Sequence, residues 1–530
     1  MLRTQLAEDK LSTVFHRYLK RIIVKSSHRN LLHPVIILLL TLAFPWASSV
    51  AAQSEVKTKV SIQVQMSEEL ETGPVNGRLL VFFGKGTGAP MQGPNWFGPE
   101  PFFGKDVTGV KPGDVITIDQ ELRGCPGTFD DIKSGRWKVQ AVLDHDLEYA
   151  DHKNGPGNFY SDPVRVQYKN GEDNGTISLE LKNVIKPKKI EDTERFKLVE
   201  AKSELLSKFH KRDVIERAGV VLPASYATNP EKRYPVYYEI TGFSGTLAGI
   251  SQRPFRSAGA DEAEFIHVYL TGQTKWGHHV YADSATNGPR GESFIKEMVP
   301  LIDSKFRTIA EPTARFVGGH SSGGWSSLWL QVTYPESFGG CWSTAPDPVD
   351  FRDWQGSNIY KGESVFYEAD GKTKKPLGRI RGRAILMYPD FSAMDDAMGR
   401  GGQLRSFEAV FSPRGDDGEP LQAWDRKTGI PNPEVIEYWK RYDISLTLQR
   451  DWNKLKGNLA GKINVFMGDM DTFYLEGATR LLGERVQEMN IDAVVEMFSG
   501  KDHMNLVDRK LRSRIMQEMT AALQKNHPEN

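Results

Sequence analysis

The hydrophobic pattern of the chain changes period once. Over residues 56–185, apolar positions alternate with polar ones or form short solid runs: VKTKVSIQVQ at 56–65, RLLVFF at 78–83, DVITID at 114–119 and WKVQAVL at 137–143, followed by 164–168 and 176–181. Alternation places every second side chain on one face of a strand, as with Trp137, Val139 and Ala141. Glycine, proline, aspartate and asparagine fill the gaps. Short strands with turn signals at this spacing predict a β-sandwich over residues 53–185. The strongly charged segment 186–212 reads as a connection, partly structured in its second half. From about residue 213 the period lengthens. Strand-like runs at 217–222, 235–240, 265–270, 314–317, 384–388 and 462–467 are separated by helical spacing at 294–302, 326–334, 478–489 and 509–523. Strands alternating with helices predict an α/β domain on a largely parallel sheet over residues 213–530. Residues 390–430, rich in Gly, Asp and Arg without clear periodicity, read as a long insertion able to shape a site.

The first 52 residues stand apart. Seven lysines and arginines precede residue 33, an apolar run VIILLLTLAF covers 35–44, and small residues follow at 47–52. That order predicts a secretory signal cleaved after Ala51 or Ala52, hence an exported protein, periplasmic or secreted. The run is too short for a membrane span, which needs about 20 residues, so no stable span is expected after cleavage. With 68 basic and 68 acidic residues the formal net charge is zero. A nucleic-acid binder would usually carry a basic excess. The two cysteines, Cys125 and Cys341, read as buried free thiols. No Cys/His pattern has zinc spacing, and Asp144-His145-Asp146 with Asp151-His152 reads as a charged hairpin tip rather than a metal site.

The chemistry begins at Gly319-His320-Ser321-Ser322-Gly323-Gly324. A strand-like run precedes it and a helix-like run follows, the context of a nucleophile elbow. The turn strains the serine backbone, and side chains two positions either side would collide. Ser321 meets this rule with Gly319 and Gly323, whereas Ser322 would have His320 two positions before it. Ser321 is therefore the expected nucleophile, and the backbone N–H of Ser322 an oxyanion donor. A serine needs a base and the base an orienting carboxylate, expected in the order Ser, acid, His. The run at 462–467 ends in Gly468-Asp469-Met470-Asp471, so both Asp469 and Asp471 qualify. Asp471 is favoured because it lies further along the loop. His503, after the β-like run 494–498, alone among 12 histidines has the placement of the base. The second oxyanion donor is the N–H of Phe243, or of Gly242, after the run 235–240. Residues 276–289 carry many polar groups beside a strand end and are expected to line the pocket. Within them Trp276, His279, Tyr281 and Asn287, together with His320, are the substrate-binding candidates.

Arg233-Tyr234-Pro235-Val236-Tyr237, the stretch from Glu292 to Phe306-Arg307, Gly319 through Gly324, and the late Gly468-x-x-Asp471 with His503 resemble the esterase family that includes esterase D, enterochelin esterases, feruloyl esterases and mycolyltransferases. The resemblance covers roughly residues 200–525. It implies an α/β-hydrolase fold and ester hydrolysis through a serine acyl-enzyme. It also implies Ser321, Asp471 and His503 as the catalytic set, with no cofactor. Thr241-Gly242 stands where family members often have His-Gly. The N-terminal β region is similar in placement to the immunoglobulin-like domains ahead of enterochelin-esterase-like domains. The expected partner is a small-molecule or glycan ester. Acyl transfer by the same residues, and a non-catalytic protein that grips a surface glycan, are the competing readings.

Overall fold

The computed structural model describes residues 58–119 and 122–528; the expected signal segment lies outside them. Residues 58–184 form strands β1 (Lys59–Met66), β2 (Val75–Gly84), β3 (Phe102–Val110), β4 (Val115–Ile118), β5 (Gly124–Cys125), β6 (Gly135–Asp144), β7 (Phe159–Ser161), β8 (Val164–Tyr168) and β9 (Asp173–Val184). They pair in the order β4-β1-β9-β7-β6-β2-β3-β5, with β8 also on β6. Every pairing is antiparallel except β1 with β9. The two ends of this path share one apolar core: Ile62 and Val64 of β1, Leu79, Val81 and Phe83 of β2, Val139 of β6 and Leu181 of β9.

The solid run at 78–83 has a specific cause. Alternate residues of β2 point to opposite faces, and both faces are buried. Leu80 and Phe82 turn away from the first core into a second, continuous with the α/β part. A strand covered on both sides reads as unbroken hydrophobicity.

The second sheet begins earlier than the pattern suggested. β10 (Phe196–Lys202) lies inside the segment read as a connection. It is an edge strand, and an edge tolerates charge and needs fewer apolar residues. Then follow β11 (Ile215–Val221), β12 (Val236–Ile240) and β13 (Ile266–Leu270). Two short ribbons come next, β14 (Gln273–Thr274) with β15 (Gly277–His278) and β16 (Asp283–Ser284) with β17 (Gly288–Pro289). The sheet resumes with β18 (Arg315–His320) and β19 (Gly340–Thr344). The hairpin β20 (Pro376–Ile380)–β21 (Arg383–Met387) stands off it, so the run at 384–388 is not a sheet strand. β22 (Ile463–Gly468) and β23 (Val494–Phe498) complete it. The order is β10-β11-β13-β12-β18-β19-β22-β23. All pairings from β13 to β23 are parallel, and β11 is antiparallel to both its neighbours. Helices cover it, among them α1 (Ser322–Thr333), α2 (Tyr388–Met398), α3 (Gln403–Phe411), α4 (Glu476–Glu488) and α5 (Arg509–Gln524). This is the α/β-hydrolase arrangement.

The insertion at 390–430 is not featureless. Phe391 and Met394 of α2 and Leu404, Phe407 and Phe411 of α3 are buried in the second core. That spacing is an amphipathic stripe, broken in the sequence by the loop Gly399-Arg400-Gly401-Gly402. Both cysteines are free and buried. Among the described residues no helix is long and apolar enough to cross a membrane. The polar atoms at the hairpin tip near 144–152 are taken up by hydrogen bonds: Asp144 accepts from Asn158 at 2.7 Å, and the ring Nε2 atoms of His145 and His152 meet the carbonyls of Gly157 and of Met91 at 2.8 Å.

Candidate active site

Ser321 sits between β18 and α1 with φ 61° and ψ −128°, a sparsely populated region for a residue with a side chain. The strain is held from both sides. Its N–H donates to the Thr344 carbonyl at 3.0 Å, and its carbonyl accepts from Trp325 N–H at 3.0 Å. The glycine requirement is one of close approach. A Cβ on Gly319 would stand 2.4 Å from the Gly323 carbonyl oxygen, and a Cβ on Gly323 2.0 Å from that of Ile240. The elbow is therefore pressed against the end of β12. Gly323→Ala is expected to destabilise the protein by about 3 kcal/mol, the upper range for an overpacked core, as read by urea unfolding. An unchanged midpoint would show that the turn has slack.

Ser322 is fully buried, and its Oγ donates to Asp347 Oδ2 at 2.6 Å. Its hydroxyl is committed, which leaves Ser321 as the available one. The N–H of Ser322 lies in the first turn of α1, where helix N–H groups have no intrahelical partner. The loop after β12 runs alongside: a Cβ on Gly242 would lie 3.9 Å from Ser321 Oγ. Gly242 thus stands beside the serine.

Asp471 and His503 meet. Nδ1 of His503 lies 2.7 Å from Oδ2 of Asp471, and Oδ1 of Asp471 accepts the Phe473 N–H at 2.8 Å. Asp471 has no solvent exposure and His503 4 %. Burial acts to lower the His503 pKa, but the charge and hydrogen bond of Asp471, with further pull from Asp347 and Asp502, hold it above the ordinary 6.5. The alternative acid Asp469 is turned elsewhere and accepts the Gly500 N–H at 2.7 Å. His320, next to Ser321, lies with its ring 4.6 Å from that of His503 and meets Thr344 Oγ1 through Nδ1 at 3.1 Å. Burial and the neighbouring His503 push its pKa down to about 3, so its ring is neutral near pH 7.

The polar side chains of the loop 276–289 are engaged within the fold. Asn287 is buried, with Oδ1 accepting from Thr274 Oγ1 at 3.2 Å and Nδ2 donating to the Ala409 carbonyl at 3.3 Å. Tyr281 Oη donates to the Thr271 carbonyl, and His279 Nδ1 accepts the Tyr281 N–H. These side chains tie the ribbons to α3 and to β13. His279 and Tyr281 also border a separate cavity of about 400 Å³ lined by Glu216 and Arg290. Trp276 is buried with the Lys275 ammonium 4.7 Å above its ring. The residue of this loop that bears on the site is His278, whose Nε2 meets the Thr241 carbonyl at 2.9 Å and so steadies the segment leading to Gly242.

Three further residues were not visible in the sequence. Asp347 is a buried carboxyl whose pKa burial raises to about 6, against the lowering effect of Ser322 and of the His503 charge. It lies just beyond β19, whose GCWST has little β-branched character. Arg379 of β20 donates through Nε to the Asp471 carbonyl at 2.9 Å and through Nη2 to Glu476 at 2.6 Å. It pins the loop that carries Asp471. Arg379→Gln is expected to lower kcat for an ester several-fold with little change in KM, because it acts on Asp471 rather than on substrate; an unchanged kcat would show that the loop holds itself. Phe473 meets the His503 ring edge-on, centroids 5.0 Å apart.

A family model described as "Putative esterase" matches residues 216–505. The chain belongs to this family. The match spans the elbow, both late loops and β11 to β23, so Ser321, Asp471 and His503 all fall inside it. No curated protein matches the chain. Among solved structures, it is similar to a ferulic acid esterase (16% identity over 62% of this chain and 99% of that chain, TM-score 0.38). It is also similar to an S-formylglutathione hydrolase from Agrobacterium tumefaciens (15%, 63% and 97%, TM-score 0.37). A third is the fluorophosphonate-binding serine hydrolase F of Staphylococcus aureus (12%, 62% and 99%, TM-score 0.36). The chain is a hydrolase of the ester-acting kind.

Proposed function

We propose that the chain is an exported serine esterase that works through Ser321, His503 and Asp471. The observation that carries the reading is the buried 2.7 Å contact between His503 Nδ1 and Asp471 Oδ2, with the His503 ring 4.6 Å from that of His320, the residue before a serine held at φ 61°. With Nδ1–H donated to the carboxylate, Nε2 is left as the proton acceptor. His503 takes the Ser321 proton as Oγ attacks the ester carbonyl. The N–H groups of Ser322 and of Phe243 or Gly242 hold the tetrahedral oxyanion. The imidazolium, stabilised by Asp471, returns the proton to the departing alkoxide, which leaves as the alcohol. Water, deprotonated by the same ring, then releases the acid and frees Ser321. Export rests on the basic, apolar and small-residue order of the first 52 residues. The region before the catalytic part is read as an immunoglobulin-like β-sandwich.

The test is covalent. A fluorophosphonate probe should label the mature protein at Ser321, and the same preparation should hydrolyse a simple carboxylic ester. Absence of both would end this reading and favour a non-catalytic scaffold.

A further inference from the structure

The N-terminal β part does more than precede the catalytic one. We propose that Trp96 and Phe97, carried by the β2–β3 connection, are specificity-determining residues of the ester site. They form, with Phe243 and Phe473, an aromatic wall that takes a ring-bearing portion of the substrate. The proposal rests on the esterase reading above.

The geometry runs through one ring. Trp96 lies 5.8 Å from Phe243, whose neighbour Gly242 abuts Ser321, and 6.3 Å edge-on from Phe473. Phe473 in turn contacts His503. A single indole from the β part thus bridges the loop beside the serine and the ring beside the base. Phe97 stacks on Phe473 at 6.4 Å and remains 43% exposed. Trp96, Phe243 and Phe473 are themselves only half-buried. A tryptophan serving solely to seal the two parts together would be expected to be closed over. This one is closed on the side of Phe391, 5.1 Å away and buried, while the group keeps open surface. Exposed aromatic rings gathered at a reactive centre mark a binding surface, and their faces favour another ring in stacked or edge contact.

The wall is also held still, which selective binding requires. The Met91 N–H donates to Gln140 Oε1 at 3.2 Å, and the Met91 carbonyl meets His152 Nε2 at 2.8 Å. The His152 ring stacks on Phe82 at 5.0 Å. Arg78 donates to the Ala397 carbonyl at the end of α2, at 2.9 Å through Nη2. Leu80, Phe82 and Phe102 share one core with α2 and α3. The β part therefore presents Trp96 from a rigid base.

The experiment compares matched esters on the full mature chain: methyl 3-phenylpropanoate against methyl butanoate for a ring on the acyl side, and benzyl acetate against methyl acetate for a ring on the alcohol side. Intrinsic reactivity cancels when each variant is divided by wild type. Trp96→Ala is expected to lower the ring-bearing to ring-free ratio of kcat/KM about tenfold for one pair, mainly through KM, the size of one lost aromatic contact. Trp96→Phe should recover part of it. Phe97→Ala, at an exposed position that folding does not depend on, should lower the same ratio about threefold. Ratios unmoved in both alanine variants, or equal losses on ring-bearing and ring-free esters, would overturn the inference. Wild type inert to every ester and to fluorophosphonate would instead remove the esterase reading, and this proposal with it.

Discussion

Replacing Ser321 by alanine is expected to abolish ester hydrolysis, with a loss on the order of 10⁵-fold or more in kcat, the scale seen when a serine nucleophile is removed. The protein stays folded. Alanine keeps the same Cβ, and the bonds that hold the turn, to Thr344 and from Trp325, are made by backbone atoms. The φ of 61° penalises alanine and serine alike. The variant should therefore unfold within about 1 kcal/mol of wild type, as for a substitution that leaves packing intact. It should also refuse the fluorophosphonate label. Turnover near the wild-type rate would remove Ser321 from the mechanism, and Ser322 could not replace it while its Oγ is held by Asp347 at 2.6 Å.

The second large effect concerns the base and its acid. Asp471→Asn should cost on the order of 10⁴-fold in kcat, because an amide can hold the imidazole in the wrong tautomer. The pH profile carries the sign. His503 must be neutral to accept a proton, and in the free enzyme its pKa lies above 6.5, chiefly because Asp471 outweighs burial. Activity should therefore rise with pH through a value above 6.5, and in Asp471→Asn this limb should move down. Stability runs the opposite way. A folded pKa above the unfolded one gives stabilisation that is complete below about 6.5 and is lost as pH rises through the folded value. The esterase should thus gain activity over the pH range in which the His503–Asp471 pair loses part of its contribution to folding. An acid limb at or below 6.5 in wild type would contradict the paired arrangement.

Much of this was legible in the chain itself. β1, β2, β6, β9, β11, β12, β13, β18 and β22 overlap alternating or solid apolar runs, because a strand's period of two survives wherever one face meets a core. The elbow was legible for a different reason. Gly319 and Gly323 are required by backbone atoms 2.4 and 2.0 Å from where a Cβ would stand, so the steric rule is written into residue identity. Asp471 and His503 were found by their places after β22 and before α5. What failed did so for equally physical reasons. β19 lies mid-sheet between β18 and β22 with every residue buried, yet Gly340-Cys341-Trp342-Ser343-Thr344 has no alternation to detect, and Asp347 was lost with it. Polar residues at 276–289 read as pocket lining, and His279 and Tyr281 do border a cavity. In the fold most of those side chains satisfy one another or nearby backbone, as buried polar groups must.

Taken alone, the sequence determined the class of most elements, the serine that can occupy a strained turn, and the pair of late loops able to supply an acid and a base, because period and steric exclusion are local properties. Only the tertiary structure decided that Asp471 rather than Asp469 reaches His503, that Arg379 pins the acid's loop, and that Trp96 of the β part stands between Phe243 and Phe473. Those contacts join residues 32 to 377 positions apart, and which of many apolar or charged side chains meet across such distances is set by the packing of whole elements, not by any neighbour along the chain.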